Sequence, residues 1–318
     1  MRTSLRSWLV GLASLGLVAT PAFAQEEMDD VAVGSNIYGS LDFGYASSYY
    51  FFGIPQENQG VILQTTLNLG VTLPSINLGD DMELSQDVYA GTFNSFHFDN
   101  PTSDEDFLGG TDDALSYWYE GDIFVGYVLG LPYGLTLDIS YWWVNGPSVG
   151  AQFDEEIDIF LSYDDTAMWE SAGMDGFALN PYIAFIIETQ GGADGNVEDD
   201  GGPGKLFLLG VEPSFLVYES EDYPVTLSIP VEVGIEIEDY YENVAGESES
   251  FGYLSFGATL STPLSFIPAE YGEWEGYIGA YGILLGDAAK ETGGPDGLDV
   301  IGDDAFAGYW STGVSLSF

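Results

Sequence analysis

The sequence predicts an all-β protein, a transmembrane antiparallel up-and-down β-barrel of about twelve strands. Three observations carry that expectation. Apolar residues alternate with small or acidic ones in segment after segment, the period-two mark of a strand with two unlike faces. The connections also alternate, long and acidic at one end and tight at the other, as membrane barrels arrange them. The chain finishes on "STGVSLSF", where Phe318, Leu316, Val314, Thr312 and Trp310 share one face and Ser317, Ser315, Gly313 and Ser311 the other.

The first element is not part of the barrel. "MRTSLRSWLVGLASLGLVATPAFA" carries Arg2 and Arg6, a short apolar stretch and Ala22-Phe23-Ala24. That is a secretory signal peptide over 1–24, cleaved after Ala24, with an apolar core too short for a membrane span. The barrel domain is then 25–318. Within it Lys205 and Lys290 are the basic residues, against 52 Asp and Glu. No basic patch for phosphates can be built from two lysines, which excludes nucleic acid as a partner. There is no cysteine, so no disulfide framework holds the fold. Such acidity ordinarily accompanies disorder, yet 46% of residues are hydrophobic and 15% aromatic. After the signal no apolar run reaches the ~18 residues of a membrane helix. A large soluble β domain or a membrane barrel remains.

Strands are predicted over 37–52 and 61–73, the latter from "VILQTTLNLGVTL". The third, 82–98, matches the alternation least well. Strands 117–130 and 135–144 flank the tight "LPYG", and "LTLDISYWW" alternates cleanly in the second of them. A strand over 157–164 precedes 166–176, which can hold a short helix. Next come 177–189, with "FALNPYIAFIIE", and 205–218. In 224–241, Val225, Leu227, Ile229, Val231, Val233, Ile235 and Ile237 share one face, and Thr226, Ser228, Glu232, Gly234, Glu236 and Glu238 the other. Strands 251–264, 274–285 and 305–318 complete the set.

Twelve is even, as a barrel with both ends in the periplasm requires. The outward connections then include "DNPTSDEDFLGGTDDALS", "NGPSVGAQFDEE", "GGADGNVEDDGGPG" and "GDAAKETGGPDGLDVIGDD", and the inner ones "LPYG" and "ESEDYP". The 166–176 connection is long for an inner turn. A soluble β-sandwich also shows alternation. Against it, aromatics gather near strand ends at 49–52, 117–119, 141–143, 240–241 and 309–310, where interfacial girdles belong. The non-apolar face is small or acidic rather than a second core. A closed sheet also satisfies every backbone group in lipid, which an open one does not.

Two stretches resemble known patterns. Ser311, Gly313, Leu316 and Phe318 resemble the C-terminal signal of bacterial outer-membrane proteins, which implies recognition by the barrel-assembly machinery. "SSYYFFGIPQENQG" resembles the first hairpin of the porins often called TorF-like, whose strand reads approximately S-x-Y-x-F-R-G-I-x-Q. Ser48, Tyr49, Phe51, Gly53, Ile54 and Gln56 match, with one residue of slack at the serine, and Phe52 replaces the arginine. The resemblance implies an outer-membrane address and covers about fourteen residues, with a looser likeness in "SYDD…FALNPYIAF" and "LSFIPAEYGEW".

The alternation turns Asp42, Glu120, Asp122, Asp138, Asp158, Glu188, Glu212, Glu232, Glu236 and Glu238 toward the lumen, with no basic residue among them. Like-signed charge in a narrow passage concentrates cations and repels anions. The expected function is a passive porin-like channel for small solutes, cation-preferring, in contact with outer-membrane lipid. Phe52, Trp142, Tyr182 and Tyr281 are the rings expected to constrict it. If they close it, the chain is a structural or adhesive barrel that presents acidic loops. The same acidity also fits a surface adapted to high salt. No cofactor is expected, although "GADGNVEDDGG" and "GGPDGLDVIGDD" offer hard oxygen ligands for Ca2+ without the spacing of a calcium helix-hand. Enzymatic activity is not expected. His97 is the single histidine, no G-x-S-x-G occurs, and the sequence places no serine beside that imidazole.

Overall fold

The computed structural model describes residues 36–57, 61–79, 82–98, 118–147, 150–191, 203–241, 249–291 and 305–318. The strands are β1 (Ile37–Ala46), β2 (Tyr49–Phe51), β3 (Ile54–Glu57), β4 (Ile62–Gly79), β5 (Met82–His97) and β6 (Glu120–Gly130). There follow β7 (Leu135–Gly146), β8 (Ala151–Tyr163), β9 (Phe177–Ala178), β10 (Tyr182–Gly191), β11 (Lys205–Val211) and β12 (Ser214–Tyr218). The last are β13 (Val225–Ser228), β14 (Val231–Glu238), β15 (Phe251–Pro263), β16 (Glu273–Leu285) and β17 (Phe306–Ser317). Two short helices, α1 (Thr166–Ser171) and α2 (Asp287–Glu291), lie in connections.

Fifteen of the strands form one antiparallel sheet that returns on itself. Counting β9 with β10, β11 with β12 and β13 with β14 gives twelve staves. β17 closes onto β1, from Ser40↔Ser317 to Ala46↔Ser311. At this seam Gly39 and Phe318 exchange both backbone bonds, at 2.9 and 3.0 Å, so the last residue is part of the wall. The outer face carries Leu67, Leu69, Ile123, Val125, Phe185, Leu209, Leu260 and Ile278, all exposed. The inner face alternates with it as Gln64, Asn68, Ser140, Ser228, Ser255, Thr259 and Ser315, all buried. Apolar outside and polar inside, with no free edge around the ring among the described strands, is the arrangement lipid demands.

The predicted strand over 37–52 breaks at Ala46, and the residues behind the family resemblance leave the wall as the separate β2–β3 hairpin. The predicted strand 157–164 begins six residues earlier, at Ala151, because the acids of "FDEE" face alternately in and out rather than forming a loop. The helix expected over 166–176 is confined to α1.

Three adjacent staves are broken at one level, where Pro181, Pro213 and Pro230 interrupt predicted strands 177–189, 205–218 and 224–241. Proline supplies no N–H to a ladder. The bonds step across each gap instead, from Glu212 N to Leu179 O, Ile229 N to Pro213 O and Gly257 N to Pro230 O. Buried Asp165 organises the first gap. One carboxylate oxygen accepts from Leu179 N and Asn180 N, and the other from the Trp169 indole of α1.

Candidate functional site

The end of the barrel bearing the β1–β4, β5–β6 and β7–β8 connections is called here the loop end, and the opposite one the turn end. After Ala46 the chain turns into the lumen at the loop end. β2 and β3 pair through Tyr50↔Pro55 and Phe51↔Ile54 around the two-residue turn Phe52–Gly53. Both turn residues have positive φ, 43° and 88°, as a type I′ hairpin needs. Glycine adopts that conformation freely, whereas a phenylalanine there costs about 1–2 kcal/mol. Gly53 also lets the tip approach the wall, since a Cβ would lie 2.5 Å from the Tyr253 ring.

Tyr49, Tyr50, Phe51, Phe52 and Ile54 are buried, each stabilised by roughly 1.5–3 kcal/mol of apolar transfer. The tip is held by the Tyr241 hydroxyl, which donates to the Phe52 carbonyl at 2.5 Å, and by Tyr240, edge-on to the Phe52 ring. Tyr50 packs on Tyr309 of β17. Tyr49 donates to both oxygens of Glu120 on β6, at 2.8 and 2.7 Å. Ala184 and Ile186 of β10 and Leu206 and Leu208 of β11, apolar although they face inward, belong to the same cluster. The hairpin therefore reaches across the lumen and fills it at this end.

Glu120, Asp122, Asp138, Asp158, Glu188 and Glu232 are buried on the inner face, and Asp42, Glu212 and Glu236 are half-buried. Glu238 departs from expectation. A register shift in the β11–β14 ladder leaves it exposed at the rim, paired with Lys205, so a basic residue does join that position. Lys290 pairs with Asp287 within α2. Among the described residues no lysine or arginine faces the lumen below the rim. Sequence reasoning missed Asp154 and Glu156, both buried on β8, and Glu57 on β3. Alternation carried back from Asp158 through "FDEE" would have found the first two.

A repeated three-strand pattern sets the rings and acids of the lumen. Tyr89 of β5 lies over Gly126, its cross-strand partner on β6, and donates to Asp138 of β7 at 2.9 Å. Tyr182 of β10 lies over Gly210 of β11 and donates to Glu232 of β14. Tyr277 of β16 lies over Gly313 of β17 and reaches Asp42 of β1 at 3.2 Å. In each the glycine leaves room for a flat ring, and a Cβ there would sit 2.1–2.3 Å from that ring or its hydroxyl.

The rings expected to constrict the lumen thus divide. Tyr182 lies against the wall over Gly210, and Tyr281 over Gly257 and Gly279. Trp142 packs along the wall on Phe124, tilted by 33° with centroids 4.2 Å apart, its indole donating to Ser140. Phe52 stands in the lumen at the hairpin tip. Of the C-terminal residues, Ser311 faces inward, Gly313 is covered by Tyr277, and Leu316 and Phe318 face out.

His97 is buried beneath the hairpin, stacked on Tyr119 at 4.4 Å. The structure supplies the serine that the sequence could not place. Ser95 Oγ is 3.0 Å from Nε2, and Glu57 Oε2 is 3.9 Å from Nδ1. The serine is fully buried, and the trio braces β3 against β5. Outside the strands, burial first and then the charge of Glu156 push the Tyr240 phenol well above its usual range.

The signal segment and the two glycine-rich acidic segments proposed for Ca2+ lie outside the described residues. Among the described residues no helix is long and apolar enough to cross a membrane, which says nothing of a barrel. Neither a family model nor a curated protein matches the chain. Among solved structures it is similar to an outer-membrane channel from Pseudomonas putida F1, at 9% identity and TM-score 0.46, covering 92% of this chain and 99% of that one. It is also similar to the NanC porin, at 12% and 0.39, covering 87% and 98%. The β domain of the Bordetella autotransporter BrkA gives 9% and 0.39, covering 89% and 99%. These likenesses are distant, and the barrel stands on this chain's own strand pairing.

Proposed function

We propose that the protein is a passive, non-enzymatic channel of the bacterial outer membrane for small solutes, preferring cations. One observation carries this reading. Buried carboxylates line the inner face from Asp138 to Glu188, while no lysine or arginine of the described residues faces the lumen below the rim. In a low-dielectric passage that imbalance favours cation entry. The refolded protein in a planar bilayer under a KCl gradient should give a reversal potential of cation sign. An anion-preferring potential overturns the reading.

The packed loop end favours a second reading, a structural or adhesive barrel that conducts little. Single-channel recording separates the two, since absence of conductance at every voltage leaves the structural role. Either reading places the mature chain at 25–318, with its last strand presented to the barrel-assembly machinery. The likeness to TorF-like porins supports the outer-membrane address. An intact mass of the mature chain that does not begin at Gln25 would remove the cleavage site.

A further inference from the structure

The seam of the barrel carries a row of polar side chains with no part in the loop-end packing. Ser315 of β17 is the direct cross-strand partner both of Asp42 on β1 and of Glu275 on β16. The row lies on the inner face, where Tyr277, two residues on from Glu275, reaches Asp42 Oδ1 at 3.2 Å. Directly opposed residues on neighbouring strands hold their Cβ atoms about 4.5–5.5 Å apart. The serine therefore stands between two carboxylates whose strands are about 9.6 Å apart.

A second observation concerns the oxygens of this row. Ser315 is 6% exposed, and its Oγ has no hydrogen-bond partner. Asp42 Oδ2 and Glu275 Oε1 are likewise buried without a partner. Elsewhere in the lumen a phenol meets the acid, as Tyr49 meets Glu120, Tyr89 meets Asp138 and Tyr253 meets Glu232. A serine hydroxyl flanked by two carboxylates has acceptors on either side, yet it donates to neither. Buried polar atoms left unbonded are costly, most of all when charged. An ionised carboxylate only accepts, so a positive centre is what this row lacks. Neither described lysine supplies one, since Lys205 pairs with Glu238 and Lys290 with Asp287.

We propose that Asp42, Ser315 and Glu275 bind one hard divalent cation of the Ca2+ class, which clasps the barrel where its first and last strands meet. Two carboxylates match its charge, and oxygen ligands at ~2.3–2.6 Å are those Ca2+ takes. An ion over Ser315 stands about 4.8 Å from each acid-bearing strand, within reach of both side chains. Among the described residues no group of three acids forms a metal centre. This site has two acids, and its third protein ligand is a hydroxyl. Asp42 and Glu275 are only half-buried, so lumenal water completes the shell. Glu275 is the third residue of β16, and the ion enters from the turn end beside it. The clasp rests on strand register and not on conduction.

The test uses the mature protein refolded in detergent, with Tb3+ emission excited through tyrosine and competed by Ca2+. A Ca2+-competed signal is expected, and Ca2+ should raise the urea midpoint of the wild type. Asp42→Asn and Glu275→Gln should each weaken the competing Ca2+ affinity by at least about tenfold, as loss of one charged ligand does. Heat-modifiable mobility identifies folded variants, and Ser315→Ala decides by loss of affinity if neither acid variant folds. No Ca2+ competition in the wild type, or unchanged affinity in the folded variants, overturns the clasp and assigns any bound ion to the outer loops. Reversal potentials on the same samples keep the readings apart. Anion preference with Ca2+ bound at the seam sinks the channel alone, and cation preference without Ca2+ competition sinks the clasp alone.

Discussion

The two ends of the lumen are built by opposite rules. At the loop end, Tyr49–Ile54 and Tyr240–Tyr241 fill the space and meet inward-facing Ile186, Leu206 and Leu208, as in the core of a soluble domain. Toward the turn end, Tyr89, Tyr182 and Tyr277 lie flat over glycines of the next stave and hand their hydroxyls to acids on the stave beyond it. One end excludes water by bulk, and the other keeps its rings out of the way. The same side chain, tyrosine, serves both, and the residue opposite decides which.

The contrast breaks most readily at the hairpin. Phe52→Ala removes a buried ring from the tip at about 3–5 kcal/mol, with no backbone strain relieved in return, since alanine bears a positive φ no better than phenylalanine. Urea unfolding in detergent should show the loss, and bilayer conductance should rise. An unchanged midpoint would mean that the loop end is not packed as described.

Next in size is Gly313→Val at the turn end. Its Cβ would meet the Tyr277 hydroxyl at 2.3 Å and the Phe43 carbonyl at 2.4 Å, a backbone contact that cannot yield cheaply. A cost of ~1–3 kcal/mol is expected, and the displaced ring should narrow the lumen and lower conductance. Tyr89→Phe tests the acid end of the same pattern. It deletes the donor to Asp138 but keeps the ring over Gly126, so stability should fall by about 1.5–3 kcal/mol without a change of shape. Equal stability of Tyr89→Phe and wild type would separate ring from hydroxyl.

Smallest is Lys205→Ala at the rim, partner of a half-exposed Glu238. Exposed pairs contribute ~0–1 kcal/mol and fade with salt. A larger, salt-resistant loss would place that pair within the packed end.

Much of the wall was legible because most of the strands alternate where lipid touches them, β5 with Gln86, Thr92 and Asn94 on its outer face being the weakest. In 224–241 the outward set from Val225 to Ile237 survives even the break at Pro230, since the ladder resumes in phase. Less legible was anything facing inward, where lipid sets no rule. "SSYYFFGIPQENQG" reads as a strand and its turn because aromatic, β-prone residues look alike in a wall or in a core. Only the positive φ at Phe52 and Gly53 reveals the reversal. The acids of the lumen followed from parity, and Glu238 failed where a bulge changed the count. The tyrosine, glycine and acid triplets required knowing three strands' register at once, which no single segment contains.

The phenylalanine in the first place of an I′ turn has a mechanical meaning. Its backbone would rest more easily in another shape, and one phenol clasps its carbonyl where it stands. The tip is a drawn bow whose string is the Tyr241 clasp. Breaking that clasp would be helped by the ~1–2 kcal/mol that a left-handed phenylalanine costs, so this one bond holds the stopper against its own backbone.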